Sequence, residues 1–218
     1  MTAVLLVVAK APVAGFAKTR LAPAVGPRHA ARLAAAALLD TVDCVRAVAD
    51  AVPVCALTGD LGAAERSAEL GRALSDCVVI PQRGTDFADR LANAHADVGE
   101  RFPNSPVLQV GMDTPQLRPA LLTGALTRLA EADAVLGPAA DGGWWALGLR
   151  RAADAHVLRT VPMSRPDTGE LTLFALRELG LRVDHLPVLS DVDTVEDAAR
   201  VAAQVPASRF AHAFREAV

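Results

Sequence analysis

The stretch that decides the fold is Val4-Leu-Leu-Val-Val-Ala9, followed directly by Lys10-Ala-Pro-Val-Ala-Gly-Phe-Ala-Lys-Thr-Arg-Leu21. Its first part is an apolar run without polar alternation, which predicts a strand buried on both faces, as in a parallel sheet. Pro12 and Gly15 interrupt regular structure immediately afterwards, so the second part is predicted to be the loop that leaves the strand. The loop therefore starts at the carboxyl end of a buried strand, where open α/β sheets bind their ligands.

This loop carries three cations within eleven residues, at Lys10, Lys18 and Arg20. Lys and Arg side chains, together with exposed backbone N–H groups, offset the charge of a nucleotide phosphate. A Walker A loop is excluded, because that motif needs Gly directly before Lys-Thr and Ala17 holds the place. An ordinary solvated basic loop remains the alternative. The predicted phosphate-binding residues are Lys10, Pro12, Gly15, Lys18, Thr19 and Arg20.

Strand and helix patterns alternate along nearly the whole chain. Further strands are predicted at 52–57, 78–80, 106–111, 134–137, 144–149 and 182–186, and helices at 30–48, 63–74, 87–102, 117–131 and 171–179. Asp167 and Glu170 have capping-box spacing before the last of these helices, and Thr194 and Asp197 have it before another. The alternation predicts a three-layer α/β/α Rossmann-like sandwich with a mostly parallel sheet. We expect one domain over residues 1–218, with a tail helix at 208–218.

Two groups of carboxylates follow predicted strands and are expected at the same edge as the basic loop. Asp113 comes directly after the strand at 106–111, and Asp193, with Asp191 beside it, precedes a helix. Mg²⁺ and Mn²⁺ prefer oxygen ligands and share them between carboxylates and substrate phosphates. We therefore predict a metal site on Asp113 and Asp193. The alternatives are a turn aspartate at Asp113 and a helix cap at Asp191 or Asp193.

Two further loops complete the predicted site. Asp141, Gly142, Gly143 and Trp144 are the predicted acceptor-binding residues: paired glycines let a backbone approach a ligand, and Asp141 can accept hydrogen bonds or act as a base. A simple hairpin turn is the alternative. Trp144 and Trp145 point to opposite faces of a strand, so at most one is expected at the pocket. Gln82 and Gly84 are predicted to contact the nucleotide, and Asp113, Asp141 and Lys18 to be catalytic.

Composition limits the partners. The net charge of −3 gives no support for binding to nucleic acid or an anionic membrane surface. No segment has the roughly 18 apolar residues of a membrane span. Three cysteines without CxxC spacing suit reduced thiols, and the N-terminus does not resemble a secretory signal, so we expect a cytoplasmic protein. The five histidines lack ligand spacing and are interpreted as structural or surface residues. Ala-rich helices suit either a homodimer or the core of one domain.

Four motifs occur in order along the chain: Lys10-x-Pro-x-x-Gly-x-x-Lys-Thr-Arg-Leu21, Gly111-Met-Asp-Thr-Pro-x-Leu117, Gly137-Pro-x-x-Asp-Gly-Gly-Trp-Trp-x-x-Gly-Leu149 and Asp191-Val-Asp-Thr-x-x-Asp197. Together they resemble the DUF2064 family of GT-A-like transferases, which includes glycosyltransferases associated with arsenosugar biosynthesis. Here Met112 stands where the family often has Ser, and Trp144-Trp145 where it often has Tyr-Tyr.

The resemblance implies the nucleotide-diphospho-sugar transferase fold, with Asp113 as a metal ligand and Lys10, Lys18 and Arg20 on the phosphates. Asp191 and Asp193 are similar to an Asp-x-Asp that supplies another metal ligand in sugar-activating relatives. The wider fold also contains nucleotidyltransferases, among them the 2-phospholactate and phosphoenolpyruvate guanylyltransferases.

Three functions remain open on this basis. The first hypothesis is a glycosyltransferase, dependent on Mg²⁺ or Mn²⁺, that moves a sugar from a nucleotide-diphospho-sugar to a small-molecule acceptor. The second is a nucleotidyltransferase, in which the same groups orient a nucleoside triphosphate and pyrophosphate leaves. The third is a nucleotide-binding module without catalysis. The leaving group distinguishes the first two, and turnover distinguishes both from the third.

Overall fold

Seven strands and eight α-helices make up the computed structural model, which describes residues 2–217. The strands are β1 (Ala3–Lys10), β2 (Ala51–Thr58), β3 (Val78–Pro81), β4 (Val107–Gly111), β5 (Ala134–Pro138), β6 (Trp144–Leu149) and β7 (Val183–His185). The helices are α1 (Ala22–Val25), α2 (Pro27–Arg46), α3 (Ser67–Leu74), α4 (Phe87–Arg101), α5 (Pro119–Glu131), α6 (Thr168–Glu178), α7 (Val195–Gln204) and α8 (Arg209–Ala217). A 3₁₀ helix, which the sequence patterns did not predict, covers Ala152–Thr160.

The strands form one sheet in the order β3-β2-β1-β4-β6-β5-β7. β1 pairs in parallel with both β2 and β4, β2 with β3, and β5 with β7. β6 runs antiparallel to both of its neighbours. The prediction of a mostly parallel sheet is confirmed. Since β1 and β4 are parallel neighbours, the loops that follow them leave the sheet at the same edge.

Helices cover both faces of this sheet. Successive side chains of β1 point to opposite sides, so this apolar strand contributes core residues to both faces. Leu5 and Val7 pack with residues of α2, α3 and α5 on one face. Leu6 and Val8 pack with residues of α4, α6 and the 3₁₀ helix on the other. Every residue of β1 except Lys10 is buried, which explains the absence of polar alternation. The predicted three-layer α/β/α sandwich is confirmed.

A third apolar cluster holds the C-terminal part of the chain against the domain's first helices. Phe210 of α8, 1% exposed, packs with residues of α1, α2 and α7. Asp40 of α2 accepts hydrogen bonds from the backbone N–H groups of Arg209 and Phe210, at 3.3 and 2.9 Å. The predicted tail helix is therefore present over the described residues, and Val218 lies outside them.

The two predicted capping boxes have opposite outcomes. Thr194 and Asp197 form a reciprocal box at the start of α7, as predicted. Asp167 lies at the N-cap of α6 but makes no capping hydrogen bond, so that prediction is wrong. Its carboxylate instead accepts two hydrogen bonds from Arg165, at 2.9 and 2.8 Å. A charged partner two residues away competes successfully for the carboxylate, which backbone spacing alone does not reveal.

Among the helices of residues 2–217, we find none whose length and apolar character would suffice to cross a membrane.

Candidate functional site

The loop between β1 and α1 turns Lys18 inward. Ala17 and Leu21 are 6% and 0% exposed, so the loop is anchored in the core on both sides of Lys18. Lys18 has a φ of +49°, a left-handed conformation that is uncommon for a residue with a side chain. The Leu21 N–H donates to the Lys18 carbonyl at 2.9 Å and closes this turn. The loop therefore holds the backbone of Lys18 in one conformation, at a cost of roughly 1–2 kcal/mol that the anchoring must offset.

Three carboxylates gather at the carboxyl end of β4, from Asp113, Asp191 and Asp193. One oxygen from each lies within 4.8 Å of the others. Two links hold their segments together: the Val192 N–H donates to the Asp113 carbonyl at 3.2 Å, and the Gln116 side-chain amide donates to the Ser190 carbonyl. The predicted metal ligands Asp113 and Asp193 are thus neighbours, and Asp191 joins them.

The Lys18 ammonium lies between two of these carboxylates. Its Nζ is 2.7 Å from Asp113 Oδ2 and 3.0 Å from Asp193 Oδ1. The Lys18 side chain is 11% exposed and both carboxylates are 31% exposed. Arg20 also contacts Asp193, at 2.8 Å, but its side chain is 68% exposed. Basic loop and acidic cluster therefore form one site at the sheet edge, joined through sequence separations of 95 and 175 residues.

The pKa values of Asp191 and Lys18 reflect both burial and the neighbouring carboxylates. Burial, reinforced by repulsion from Asp113, Asp141 and Asp193, raises the pKa of Asp191 to about 6, although Lys18 counteracts it. Burial would lower the pKa of Lys18, but attraction and hydrogen bonds from Asp113 and Asp193 outweigh it, and the pKa lies above its ordinary value. One ammonium and one exposed guanidinium do not fully compensate this group of carboxylates. The cluster consequently favours further positive charge.

The donor set fits a hard divalent cation. It offers three carboxylate oxygens within 4.8 Å of one another and still partly open to solvent. Mg²⁺ takes oxygen ligands at roughly 2.0–2.1 Å and usually keeps several waters, so one to three carboxylates and an open side suffice. We find no thiol or imidazole among these ligands over the described residues, which suits Mg²⁺ or Mn²⁺ better than a softer ion.

The Asp141–Gly142–Gly143 turn is shaped by its packing against the start of α6. Gly142 has a φ of +89°, and a Cβ there would lie 1.8 Å from the Pro166 carbonyl oxygen. The Gly169 N–H donates to the Gly142 carbonyl at 2.8 Å. Asp141 Oδ1 accepts from the Gly143 N–H at 2.9 Å, as in a turn, while its charge acts on Asp191. Gly142 therefore has a structural reason, because a side chain there would collide with the segment before α6.

The two tryptophans point to opposite faces, as expected. Trp145 is 2% exposed and donates its indole N–H to the Pro187 carbonyl at 2.9 Å. Trp144 is half-buried and donates its indole N–H to Thr172 of α6 at 3.2 Å. Trp145 is thus the core residue. An acceptor-binding role for Trp144 stays a prediction, and its polar atom is already engaged.

The remaining predicted nucleotide contacts have local partners in the structure. Gln82 donates its amide to the carbonyls of Ala9 and Ala56, at 2.7 and 2.9 Å, and so bridges the ends of β1 and β2. Gly84, with a φ of +139°, lies against Asp89, where a Cβ would come within 2.7 Å. These contacts explain both residues structurally, and their nucleotide roles stay predictions.

Within the basic loop, the other predicted residues surround Lys18. Lys10 Nζ is 5.7 Å from the centroid of the exposed Phe16 ring. The Pro12 carbonyl accepts from the Glu65 N–H at 2.9 Å, which ties the loop to the segment before α3. Gly15 has a φ of +80°, and Thr19 is exposed. Hence Lys18 and Arg20 reach the carboxylates, whereas Lys10 and Thr19 border solvent at the same loop.

Sequence reasoning missed two features of this site. Its predicted metal ligands are Asp113 and Asp193, and Asp191 enters only through the resemblance of Asp191-x-Asp193 to the metal-binding Asp-x-Asp of sugar-activating relatives. It gave no role to Gln116, whose amide ties the Asp191 segment to the loop after β4. An open cavity of about 650 Å³ elsewhere, between α2, α8 and the segment before α3, contains none of the predicted site residues.

A protein family described as "Uncharacterized protein conserved in bacteria (DUF2064)" matches residues 41–165, more than half of the chain. The chain belongs to the DUF2064 family. The matched range includes Asp113 and Asp141, whereas Lys18 and Asp193 lie on either side of it. The resemblance inferred from the four motifs is therefore confirmed.

Two curated relatives are phosphoenolpyruvate guanylyltransferases. That of Streptosporangium roseum is 37% identical over 135 residues, which is 62% of this chain and 58% of the relative. That of Nocardia farcinica is 35% identical over 114 residues, which is 50% of this chain and 48% of the relative. The chain thus matches about half the length of these relatives.

Solved structures agree on the fold. A protein of Desulfovibrio desulfuricans G20, provisionally assigned as a nucleotide-diphospho-sugar transferase, has a TM-score of 0.87 and 27% identity, covering 99% of this chain and 95% of its own. Rv0371c of Mycobacterium tuberculosis H37Rv, solved in complex with manganese, has a TM-score of 0.54 and 22% identity, covering 92% and 98% of the two chains. These structures show that the chain shares the fold of a protein to which nucleotide-diphospho-sugar transfer has been ascribed.

Proposed function

We propose that this protein is a metal-dependent nucleotidyltransferase that joins a nucleotide from a nucleoside triphosphate to a small-molecule acceptor and releases pyrophosphate. The observation that carries the proposal is the contact of Lys18 with Asp113 and Asp193, which joins the basic loop to the acidic cluster at one sheet edge. The two curated relatives favour nucleotidyl transfer over glycosyl transfer, because both are guanylyltransferases and more than a third identical over the matched residues.

In this proposal the basic loop binds the triphosphate. Lys10, Lys18 and Arg20 place positive charge at the carboxyl ends of β1 and β4, where the β- and γ-phosphates would lie. An acceptor oxygen attacks the α-phosphorus, the bond from that phosphorus to the bridging oxygen breaks, and the electron pair leaves with pyrophosphate. Cations fixed near the leaving group stabilise the charge that develops there. Asp113, Asp191 and Asp193 would hold Mg²⁺ or Mn²⁺, which when bound supplies Lewis-acid stabilisation of the phosphate oxygens.

The acceptor side is assigned to the turn after β5. Asp141 borders the Gly142–Gly143 backbone and its charge acts on Asp191, so we assign to it the role of accepting a hydrogen bond or a proton from an acceptor. Trp144 is the neighbouring wall. Gln82 and Gly84, at the ends of β2 and β3, are assigned to the nucleotide side. A homodimer is not needed for any of these contacts.

Glycosyl transfer, the first hypothesis from the sequence, is the second candidate. The observation that favours it is the D. desulfuricans structure, which matches 99% of this chain, whereas the guanylyltransferases match only part of it. In that case the same cations and metal would stabilise a departing nucleoside diphosphate, and a sugar would pass to the acceptor.

The leaving group is the test. The purified protein is incubated with Mn²⁺, phosphoenolpyruvate and each of GTP, ATP, CTP and UTP, and pyrophosphate release is measured. A parallel series uses nucleotide sugars and measures nucleoside diphosphate. We expect pyrophosphate release from one triphosphate, GTP being the first to try. Release of a nucleoside diphosphate from a nucleotide sugar, with no pyrophosphate from any triphosphate, would replace the proposal by glycosyl transfer.

A thermal-shift series identifies the nucleotide independently of the acceptor. A ligand that binds only the folded protein at 100 times its Kd adds about 2.7 kcal/mol of stability. We expect the largest metal-dependent shift from a nucleoside triphosphate. A larger shift from a nucleotide sugar than from its parent diphosphate contradicts that expectation.

A further inference from the structure

We infer that the Lys18 ammonium competes with the divalent cation for the same carboxylates, so that metal and nucleotide phosphates bind together rather than in succession. This inference rests on the proposed function. Lys18 would be the internal counter-charge of the acidic cluster until a nucleotide arrives, and would then transfer its contacts to the phosphates. Its role is therefore to couple two binding events as well as to bind phosphate.

The geometry carries the first step. Lys18 Nζ contacts Asp113 Oδ2 and Asp193 Oδ1 at 2.7 and 3.0 Å, and these residues supply two of the three clustered carboxylates. Suppose that an ion is held at roughly 2.1 Å from oxygens of the same two residues. Its position would then be only a few ångströms from the position of the Lys18 ammonium. Two cations at that separation repel each other, and the partial burial of the site strengthens the repulsion relative to bulk water. One of them must leave.

Burial of the Lys18 side chain means that its ammonium needs an anionic partner. Its side chain is 11% exposed, compared with 68% for Arg20, the other cation that contacts Asp193. A Lys side chain loses hydration and rotamer freedom when it is buried, so it must gain these contacts in return. Arg20 can move into solvent at little cost, whereas Lys18 needs another anion to receive it. The phosphates of a nucleotide are the anions that the proposed function brings to this loop.

The choice of lysine rather than arginine at position 18 supports the inference that this positive charge moves. The chain contains 22 Lys and Arg residues, of which only Lys10 and Lys18 are lysines, and both belong to the basic loop. Arg presents a planar fork that fixes two hydrogen bonds at once, whereas Lys is a compact charge on a flexible stem. The proposed group must occupy the space of a metal ion and later leave it. A lysine side chain suits this role better than an arginine side chain.

Coupling of this kind is reciprocal. If a nucleotide draws Lys18 away and thereby improves metal affinity, the metal must improve nucleotide affinity by the same factor. The expected behaviour is weak Mn²⁺ binding to the protein alone and much tighter binding in the presence of a nucleoside triphosphate. Removal of the ammonium should strengthen Mn²⁺ binding to the protein alone, although the same change removes a phosphate contact.

The experiment measures Mn²⁺ binding to the full chain by electron paramagnetic resonance, with and without GTP. Lys18→Met is compared with the wild type and with Lys10→Met, which removes the same charge from the same loop but no described contact with a carboxylate. We expect Lys18→Met to bind Mn²⁺ about tenfold more tightly without nucleotide, the effect of roughly one relieved charge contact. Lys10→Met should differ from the wild type by about twofold or less, since exposed charges are screened.

A second measurement needs no variant. Lys10 and Lys18 are the only lysines, so acetylation by an amine-reactive reagent followed by mass spectrometry reports on each. Lys10 should react in all conditions, and Lys18 should be protected in the protein alone and become reactive when Mn²⁺ is added without nucleotide. This arm remains informative if Lys18→Met does not fold.

The outcomes separate the inference from the proposed function. Tighter Mn²⁺ binding by Lys18→Met, or Mn²⁺-induced acetylation of Lys18, supports the inference. If the wild type binds Mn²⁺ with GTP but neither effect appears, the inference is overturned and the metal site stands. If no protein binds Mn²⁺ in any condition, both are wrong.

Discussion

The acidic cluster at the sheet edge and the pair formed by His95 of α4 and Gln109 of β4 differ in their exposure to water and in how their charge is handled. In the cluster, Lys18 forms ion pairs with Asp113 and Asp193, and the side chains of all three residues keep some exposure to solvent. His95 and Gln109 are 0% and 2% exposed, and the His95 Nε2 contacts Gln109 Oε1 at 3.0 Å as a neutral donor. The first region keeps its charges within reach of a ligand, and the second removes charge from the core altogether.

This difference separates polar residues that can exchange their partner for a ligand from those that cannot. A charged group that keeps contact with solvent can exchange its partner for a ligand without crossing the interior. A neutral pair between a helix and the sheet has no such route, and its hydrogen bond serves packing and specificity. Each region takes one residue from β4 or its end, Gln109 on the strand and Asp113 just after it, so the strand alone does not determine which role a polar residue has.

The largest effect is expected on turnover from Asp113→Asn. The change removes one carboxylate charge from the cluster at constant size, and we expect turnover to fall by about 10³-fold, or about 4 kcal/mol of barrier. The free energy of unfolding should change by about 1 kcal/mol or less, because Lys18 keeps its contact with Asp193. Steady-state kinetics and chemical denaturation measure the two quantities.

The matched control for Asp113→Asn is the double variant His95→Leu/Gln109→Leu. It replaces both members of the buried pair by apolar groups of similar size, so it should alter stability and leave turnover within about threefold. If the double variant abolished turnover while its folding persisted, the separation between the two regions would be wrong.

The next effect is on the pH dependence of stability. Burial lowers the pKa of His95 from 6.5 to about 4, and hydrogen bonding to Gln109 only partly offsets it. Below pH 6.5 the unfolded chain therefore takes up a proton that the folded protein refuses until about pH 4. The free energy of unfolding should fall by up to about 3 kcal/mol over this window, at about 1.4 kcal/mol per pH unit.

Urea denaturation at several pH values from 7 to 4 tests this expectation. Other carboxylates also contribute a slope, so the informative quantity is the difference between the wild type and His95→Leu/Gln109→Leu. That difference should shift by up to about 3 kcal/mol in favour of the variant as the pH falls. A difference independent of pH would show that His95 is not buried as a neutral imidazole.

The smallest effect is expected from Arg20→Gln. The guanidinium contacts Asp193 at 2.8 Å but is 68% exposed, so solvent screens the pair. We expect the free energy of unfolding to change by about 1 kcal/mol or less, as for most exposed ion pairs. Thermal unfolding at low and high salt measures it. A loss of several kcal/mol would mean that Arg20, rather than Lys18, is the principal counter-charge of the cluster.

Local patterns predicted most of the fold. The unbroken apolar run of β1 indicated a strand covered on both faces, and the alternation of elements indicated the mostly parallel sheet. The spacing of Thr194 and Asp197 predicted their capping box correctly. The same spacing did not predict a capping box correctly at Asp167, because the carboxylate pairs with Arg165 instead. The 3₁₀ helix after β6 has no clear periodicity from which it could be predicted.

The sequence by itself determined the parts of the site: a cationic loop after a buried strand, an aspartate after β4 and an Asp-x-Asp before α7. It did so because strand burial, turn residues and helix caps depend on neighbours a few positions away. Only the tertiary structure decided that Lys18 lies between Asp113 and Asp193, and that Asp191 completes the cluster. Those contacts join residues up to 175 positions apart. They depend on which strands are neighbours in the sheet, and no local pattern encodes that order.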